Sequence, residues 1–103
     1  MAIEKIRNNV GKKITIRGEI SRVPWQHLMK PTKEYPYAYY FDLPEDYQIV
    51  IYTKTELDER KYYGNEIAVS GEVIEVTGRS KRPRDEVETY TEYHINVDDI
   101  EFI

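Results

Sequence analysis

The chain has no cysteine, which excludes disulfides, thiolate zinc sites and a cysteine nucleophile. Histidine is nearly as scarce: His27 and His94 stand far apart in sequence. No apolar run approaches the roughly 20 residues that a membrane-spanning helix needs. The opening Met-Ala-Ile-Glu-Lys-Ile-Arg lacks the apolar core of a secretion signal. The expectation is a cytoplasmic protein without a membrane partner. There is no glycine-rich phosphate loop, no nucleophile motif and no carboxylate spacing of a metal loop. The pairs Glu45-Asp46, Asp58-Glu59, Asp85-Glu86 and Asp98-Asp99 read as solvated. No enzymatic activity, catalytic residue, metal ligand or cofactor is expected, and His94 reads as a surface side chain on the last strand.

The 103 residues fit a single domain spanning 1–103, with 40% apolar residues for a core and 33% charged residues for its surface. The net charge of −4 is unevenly spread. Residues 22–33 carry Arg22, Lys30 and Lys33 and no acid, and residues 79–84 carry Arg79, Lys81, Arg82 and Arg84 and no acid. These segments hold +3 and +4, so the remainder must hold −11 to reach the total of −4. Lysine and arginine collect in solvated loops anyway, and that plain reading stands beside a binding one.

One pattern occurs twice. Gly11-Lys-Lys-Ile-Thr-Ile-Arg-Gly18-Glu-Ile-Ser-Arg-Val23 is echoed by Gly64-Asn-Glu-Ile-Ala-Val-Ser-Gly71-Glu-Val-Ile-Glu-Val76. Each is a strand interrupted by glycine, which marks a bulge, a bend or a close backbone approach. Strands bent in mid-course suit a small closed barrel. The flanking segments do not match, so convergence of two strands in one barrel is preferred over an internal duplication.

The remaining elements follow from periodicity and turn residues. Residues 1–10 form a lead-in helix or a flexible segment, with Ile3, Ile6 and Val10 at helical spacing. Lys12 to Val23 alternates Ile14, Ile16, Gly18 and Ile20 with Lys13, Thr15, Arg17 and Glu19, a strand with one wet face. Residues 24–36, with three prolines, form a long loop that Trp25, Leu28, Met29 and Tyr35 should fold back onto the barrel. Ala38 to Leu43 and Gln48 to Tyr52 make a hairpin, with Tyr39, Phe41, Leu43, Ile49 and Ile51 inward and Tyr40, Val50 and Tyr52 outward. Thr53 to Tyr63 reads as a short helix capped by Thr53 or Thr55 and closed by Gly64. Glu66 to Val76 is the fourth strand, residues 77–86 a basic loop, and Val87 to Phe102 a fifth strand bulged near Asp98-Asp99.

Five antiparallel strands with a helix between the third and fourth describe an all-β, Greek-key barrel, the OB-fold. Ile3-Glu-Lys-Ile6 followed by Lys12-Lys-Ile-Thr-Ile-Arg-Gly-Glu-Ile resembles the entry to OB-fold domains of the replication protein A group. Gly64-Asn-Glu-Ile-Ala-Val-Ser-Gly-Glu-Val resembles the fourth strand of that group and of anticodon-binding-like OB domains. The matching residues are structural, and the cysteine zinc knuckle of some of those proteins is missing.

OB-folds bind oligonucleotides on the face of strands 2 and 3 and in the flanking loops, here 24–36 and 77–86. The expectation is a non-catalytic module whose partner is single-stranded DNA or RNA. Phosphates would meet Arg17, Arg22, Lys30, Lys33, Arg79, Lys81, Arg82 and Arg84, with His27 at a phosphate or base. Bases would stack on Trp25, Tyr35, Tyr37, Tyr40 and Tyr52. Ten tyrosines exceed what this core can satisfy, so several should lie at the surface. The alternative is a protein–protein interaction OB module within a larger assembly, favoured by the acidic remainder. Sugar binding rests on fold analogy alone.

Overall fold

A computed structural model describes residues 2–23, 25–80 and 88–103. Helix α1 (Ala2–Arg7) leads into β1 (Lys13–Ile20), β2 (Tyr37–Leu43) and β3 (Tyr47–Thr53). Helix α2 (Glu59–Tyr62) separates these from β4 (Ile67–Ser80) and β5 (Glu88–Phe102). The strands close a barrel in the order β1-β2-β3-β5-β4. The all-β class and the helix between the third and fourth strands are as expected, and the arrangement is compatible with an OB-like fold. The pairing differs in one respect: β3 and β5 run parallel, through Ile51 opposite Ile95 and Tyr52 opposite Asn96. No helix among the described residues is long and apolar enough to cross a membrane.

The strict alternation of β1 sends Ile14, Ile16 and Ile20 inward, where Phe41, Leu43, Ile49, Ile51, Ile67, Val69, Val73 and Ile95 meet them. Each such side chain contributes about 1.5–3 kcal/mol on burial. Ile6 of α1 is fully buried and plugs the same core, so the lead-in segment is a docked helix.

The echoed segments pair with each other. β1 and β4 are antiparallel neighbours, with Gly18 opposite Ile67 and Ile14 opposite Gly71. Their glycines are sites of close approach: a Cβ on Gly18 would lie 2.3 Å from the Asp42 carbonyl oxygen, and one on Gly71 would lie 1.9 Å from that of Asn96. Beside Gly71 the β4–β5 register slips, Ser70 facing Asp99 and Gly71 facing Val97, so Asp98 is the extra residue of a bulge. This is the bulge expected from the sequence.

Three boundaries depart from expectation. The helix is limited to Glu59–Tyr62 and is capped by Asp58, whose side chain accepts the Arg60 amide. Thr53 stays in β3 and donates its hydroxyl to the Thr55 carbonyl, while the Leu57 amide donates to Tyr39 Oη. Those bonds satisfy the segment without helix. The fourth strand is longer than expected: β4 pairs with β5 as far as Ser80 opposite Glu88, so 77–80 is strand and not loop. The hairpin adds an arm to the barrel.

The two kinds of glycine make a testable contrast. Gly64 has φ +79 and open space around its Cβ position, so Gly64→Ala should cost about 1–2 kcal/mol, the left-handed penalty. Gly71→Ala forces backbone apart and should cost about 3 kcal/mol or more. Denaturant unfolding of both variants checks the order; equal losses would contradict the close approach.

Candidate functional site

The outer face of the barrel is where structure and expectation part. β3 is buried on both sides: Gln48, Val50 and Tyr52 are as inaccessible as Ile49 and Ile51. The cover is the chain's own β1–β2 loop, which crosses the outer face of β3, β5 and β4. Tyr52 is therefore not a stacking platform, a correction to its expected role, because the loop removes it from solvent entirely (0% exposed). His94 is corrected in the same way: it points out of the barrel, yet it is 0% exposed.

Polar side chains hold the loop in place. Gln48 Nε2 donates to the Val23 carbonyl at 2.9 Å and to Asp42 Oδ1 at 2.8 Å. Gln48 Oε1 accepts the Trp25 amide at 2.8 Å and faces His27 Nε2 at 3.1 Å. Glu92 is the hub. Its Oε1 lies 2.8 Å from His27 Nδ1 and 3.1 Å from His94 Nε2, and its Oε2 accepts the Leu28 amide at 2.9 Å. His94 Nδ1 meets Tyr52 Oη at 2.7 Å, and the same hydroxyl accepts the Lys30 amide at 2.9 Å. Further on, Tyr35 Oη donates to Asp98 Oδ1 at 2.7 Å, so the bulge residue anchors the loop's return. Leu28 packs on Gly78, where a Cβ would lie 2.4 Å from Leu28 Cδ2.

These contacts set the electrostatics. Burial alone would raise Glu92, but the hydrogen bond from the Leu28 amide and the adjoining His94 and His27 rings outweigh it, and the carboxyl is held below its usual value. Burial pushes His94 down against the opposing pull of Glu92. Tyr35 is raised to about 12 by its hydrogen bond to Asp98 and by burial. Among the described residues, His27, Glu92 and His94 form a group whose ligand atoms converge, all within 4.8 Å of one another. Two histidines far apart in sequence thus meet at one carboxylate. Neither Glu92 nor Gln48 was identified from sequence; Gln48 was signalled by standing as a polar residue in the otherwise apolar β3, whereas Glu92 lies in a strand rich in polar residues and carried no such signal.

The remaining expected site residues are dispersed. Arg17 is exposed and ion-paired to Glu66 at 2.6 Å, and Arg22 lies 4.2 Å above the Tyr63 ring. Trp25 is pinned through its backbone while its indole stays half exposed (51%). Tyr40 is half-buried against His27, and Tyr37 is exposed. Lys33 is exposed. Lys30 is exposed as well, and its ammonium donates to the Thr77 carbonyl at 2.8 Å. Arg79 follows on β4; Lys81, Arg82 and Arg84 lie outside the described residues. Tyr90, paired with Gly78 and 41% exposed, is an aromatic at the base of the arm that sequence reasoning passed over.

Comparison with known proteins found no family model that matches the chain and no curated protein significantly similar to it.

The network predicts acid sensitivity. His94 is depressed from 6.5, so below that pH the unfolded chain takes up a proton that the native state refuses, and stability falls as pH falls. Glu92, depressed from 4.5, adds to the loss as pH drops through its native value. Unfolding midpoints measured with chelator present should decline from pH 6.5 downward. His94→Asn should flatten the decline between 6.5 and 4.5; an unchanged slope would remove His94 as its source.

Proposed function

We propose that this domain binds single-stranded DNA or RNA, without catalysis, along the margin where the β1–β2 loop meets the β4–β5 arm. The observation that carries this reading is the Lys30–Thr77 contact. It joins the +3 segment of the loop to the strand that continues into Arg79 and, in sequence, Lys81, Arg82 and Arg84. Cations gathered on an otherwise acidic domain attract a polyanion locally and leave the rest of the surface repelling it. Lys33 of the same loop is exposed, and Lys54, 5.3 Å from the Tyr35 ring, is ion-paired with Glu34 and Asp98. Exposed Tyr37 and Tyr90 offer flat faces, each worth roughly 1–3 kcal/mol for a stacked base. The likeness of the two glycine-broken strands to OB domains of the replication protein A group supports the same reading. The path differs from that of an open OB face, because here the loop occupies the outer side of β3.

A second reading, docking of a protein partner, is favoured by a separate cleft of about 820 Å³. Its lining includes Val23, Trp25 and Tyr47 beside Asp42, Asp46 and Glu66, which suits a segment carrying apolar and basic side chains.

An NMR titration with a short single-stranded oligonucleotide separates the two. Shifts should cluster on Lys30, Lys33, Tyr37, Arg79 and Tyr90, and affinity should fall steeply with salt. Replacing Arg79, Lys81, Arg82 and Arg84 together by alanine should reduce the log–log salt slope by up to about 3. Unchanged binding by that variant would remove the arm from the site, and silence throughout would favour the protein partner.

A further inference from the structure

We propose that His27, Glu92 and His94 form a zinc site that fastens the β1–β2 loop to the sheet. The case rests on which atoms face each other. Gln48 cannot be turned over: its Nε2 already donates to Val23 and Asp42, and its Oε1 accepts the Trp25 amide. His27 Nε2 faces that same Oε1, so it must carry the proton and donate. In neutral imidazole this leaves His27 Nδ1 as a lone pair, directed at Glu92 Oε1 from 2.8 Å. Two lone-pair-bearing atoms at that distance repel unless a cation stands between them.

The second imidazole carries the opposite tautomer: buried Tyr52 Oη accepts the Lys30 amide and turns its own proton to His94 Nδ1, so His94 Nε2 holds a proton that the ion would displace to Nδ1. His94 Nε2 faces Glu92 Oε1, while its Nδ1 is held by Tyr52 Oη. Each histidine therefore turns one nitrogen to the carboxylate and has the other fixed by an outer partner, the arrangement that orients metal-bound imidazoles. Two imidazole nitrogens and one carboxylate oxygen suit Zn²⁺ and leave a fourth position open. Tetrahedral zinc with bonds of about 2.0–2.1 Å separates its ligand atoms by about 3.3 Å, so the contacts of 2.8 and 3.1 Å to Glu92 would widen slightly and the two histidine nitrogens, within 4.8 Å of each other, would settle at the same spacing. Access exists through a cavity of about 250 Å³ lined by Trp25, Gln26, His27, Gln48 and Glu92. One ligand comes from the loop and two from β5, so the ion would cross-link them. A second proton on His27 also relieves the lone-pair conflict, and the experiment separates the two cations.

The test uses the full chain without a histidine tag, stripped by chelator and titrated with Zn²⁺ at constant pH, with Mg²⁺ as the control. One equivalent of Zn²⁺ should shift the ring resonances of both histidines, raise the melting temperature and leave Mg²⁺ without effect. Co²⁺ should give the visible absorption of a low-symmetry four-coordinate site. Gln48→Leu, which removes the outer partner of His27 together with the Val23, Trp25 and Asp42 bonds, should weaken zinc binding by roughly 10–100-fold, and His27→Gln should abolish it. His27 lies in the loop and outside the barrel core, so the fold of that variant is readable. Histidine resonances that respond to pH but not to zinc would overturn the proposal and assign the cluster to a proton. So would an identical zinc response in Glu92→Gln. Neither result depends on whether the domain binds nucleic acid.

Discussion

Glu92 is a carboxylate set partly out of water on the outer face of a strand, and the rest of the outer structure depends on how it is satisfied. At that depth an unpartnered carboxylate costs several kcal/mol. Its partners are two imidazoles and one amide, and two of the three, His27 and Leu28, belong to the β1–β2 loop. The need of the carboxylate for partners and the need of a long loop for an anchor are met by the same contacts. Once the loop is down, Val50, Tyr52, Val76 and His94 become interior. They lie outside the main core cluster and form a second, thinner layer against the barrel wall.

That layer explains which parts were legible in the sequence. Period two in β1 was readable because its inner side faces the core and its outer side faces water, and the burial follows the pattern residue by residue. The glycine-broken echo was readable because a close backbone approach leaves only one residue type able to occupy the spot, and Gly18 and Gly71 both sit at such approaches. β3 was misread on its outer side because alternation reports which residues share a face, and nothing about what covers that face. Tyr52 is covered by the loop at Lys30, 22 positions away, and Glu92 beside His94 is reached by Leu28 of the same loop, 64 positions away. The short helix was overestimated because Tyr39, on a different strand, takes the Leu57 amide. Each miss is a tertiary contact overriding a local preference.

On the proposed reading, covering the sheet face also changes where a ligand would meet the domain. An open barrel face would meet a ligand with the tyrosines of the hairpin. Here Tyr52 is spent in the polar network and Tyr40 is half-buried against His27, while Tyr37 stays exposed. Lys30 and Lys33 of the loop remain exposed, as does Tyr90. Loops usually lose affinity by having to become ordered on binding. This one is already ordered by Gln48, Tyr52, Glu92 and Asp98.

The base of the arm belongs to the same construction. Gly78 interrupts the outward positions of β4, and Leu28 occupies the space its missing Cβ leaves. A third glycine in a strand thus marks a third close approach, this time of the loop to the arm and not of strand to strand. Lys30 closes the contact two residues later through the Thr77 carbonyl. With Leu28 seated and Lys30 bonded, the loop and the base of the arm are held in one relative position. On the proposed reading, the Lys30 ammonium meets a polyanion from a fixed point, and the contacts that secure Glu92 secure that geometry as well.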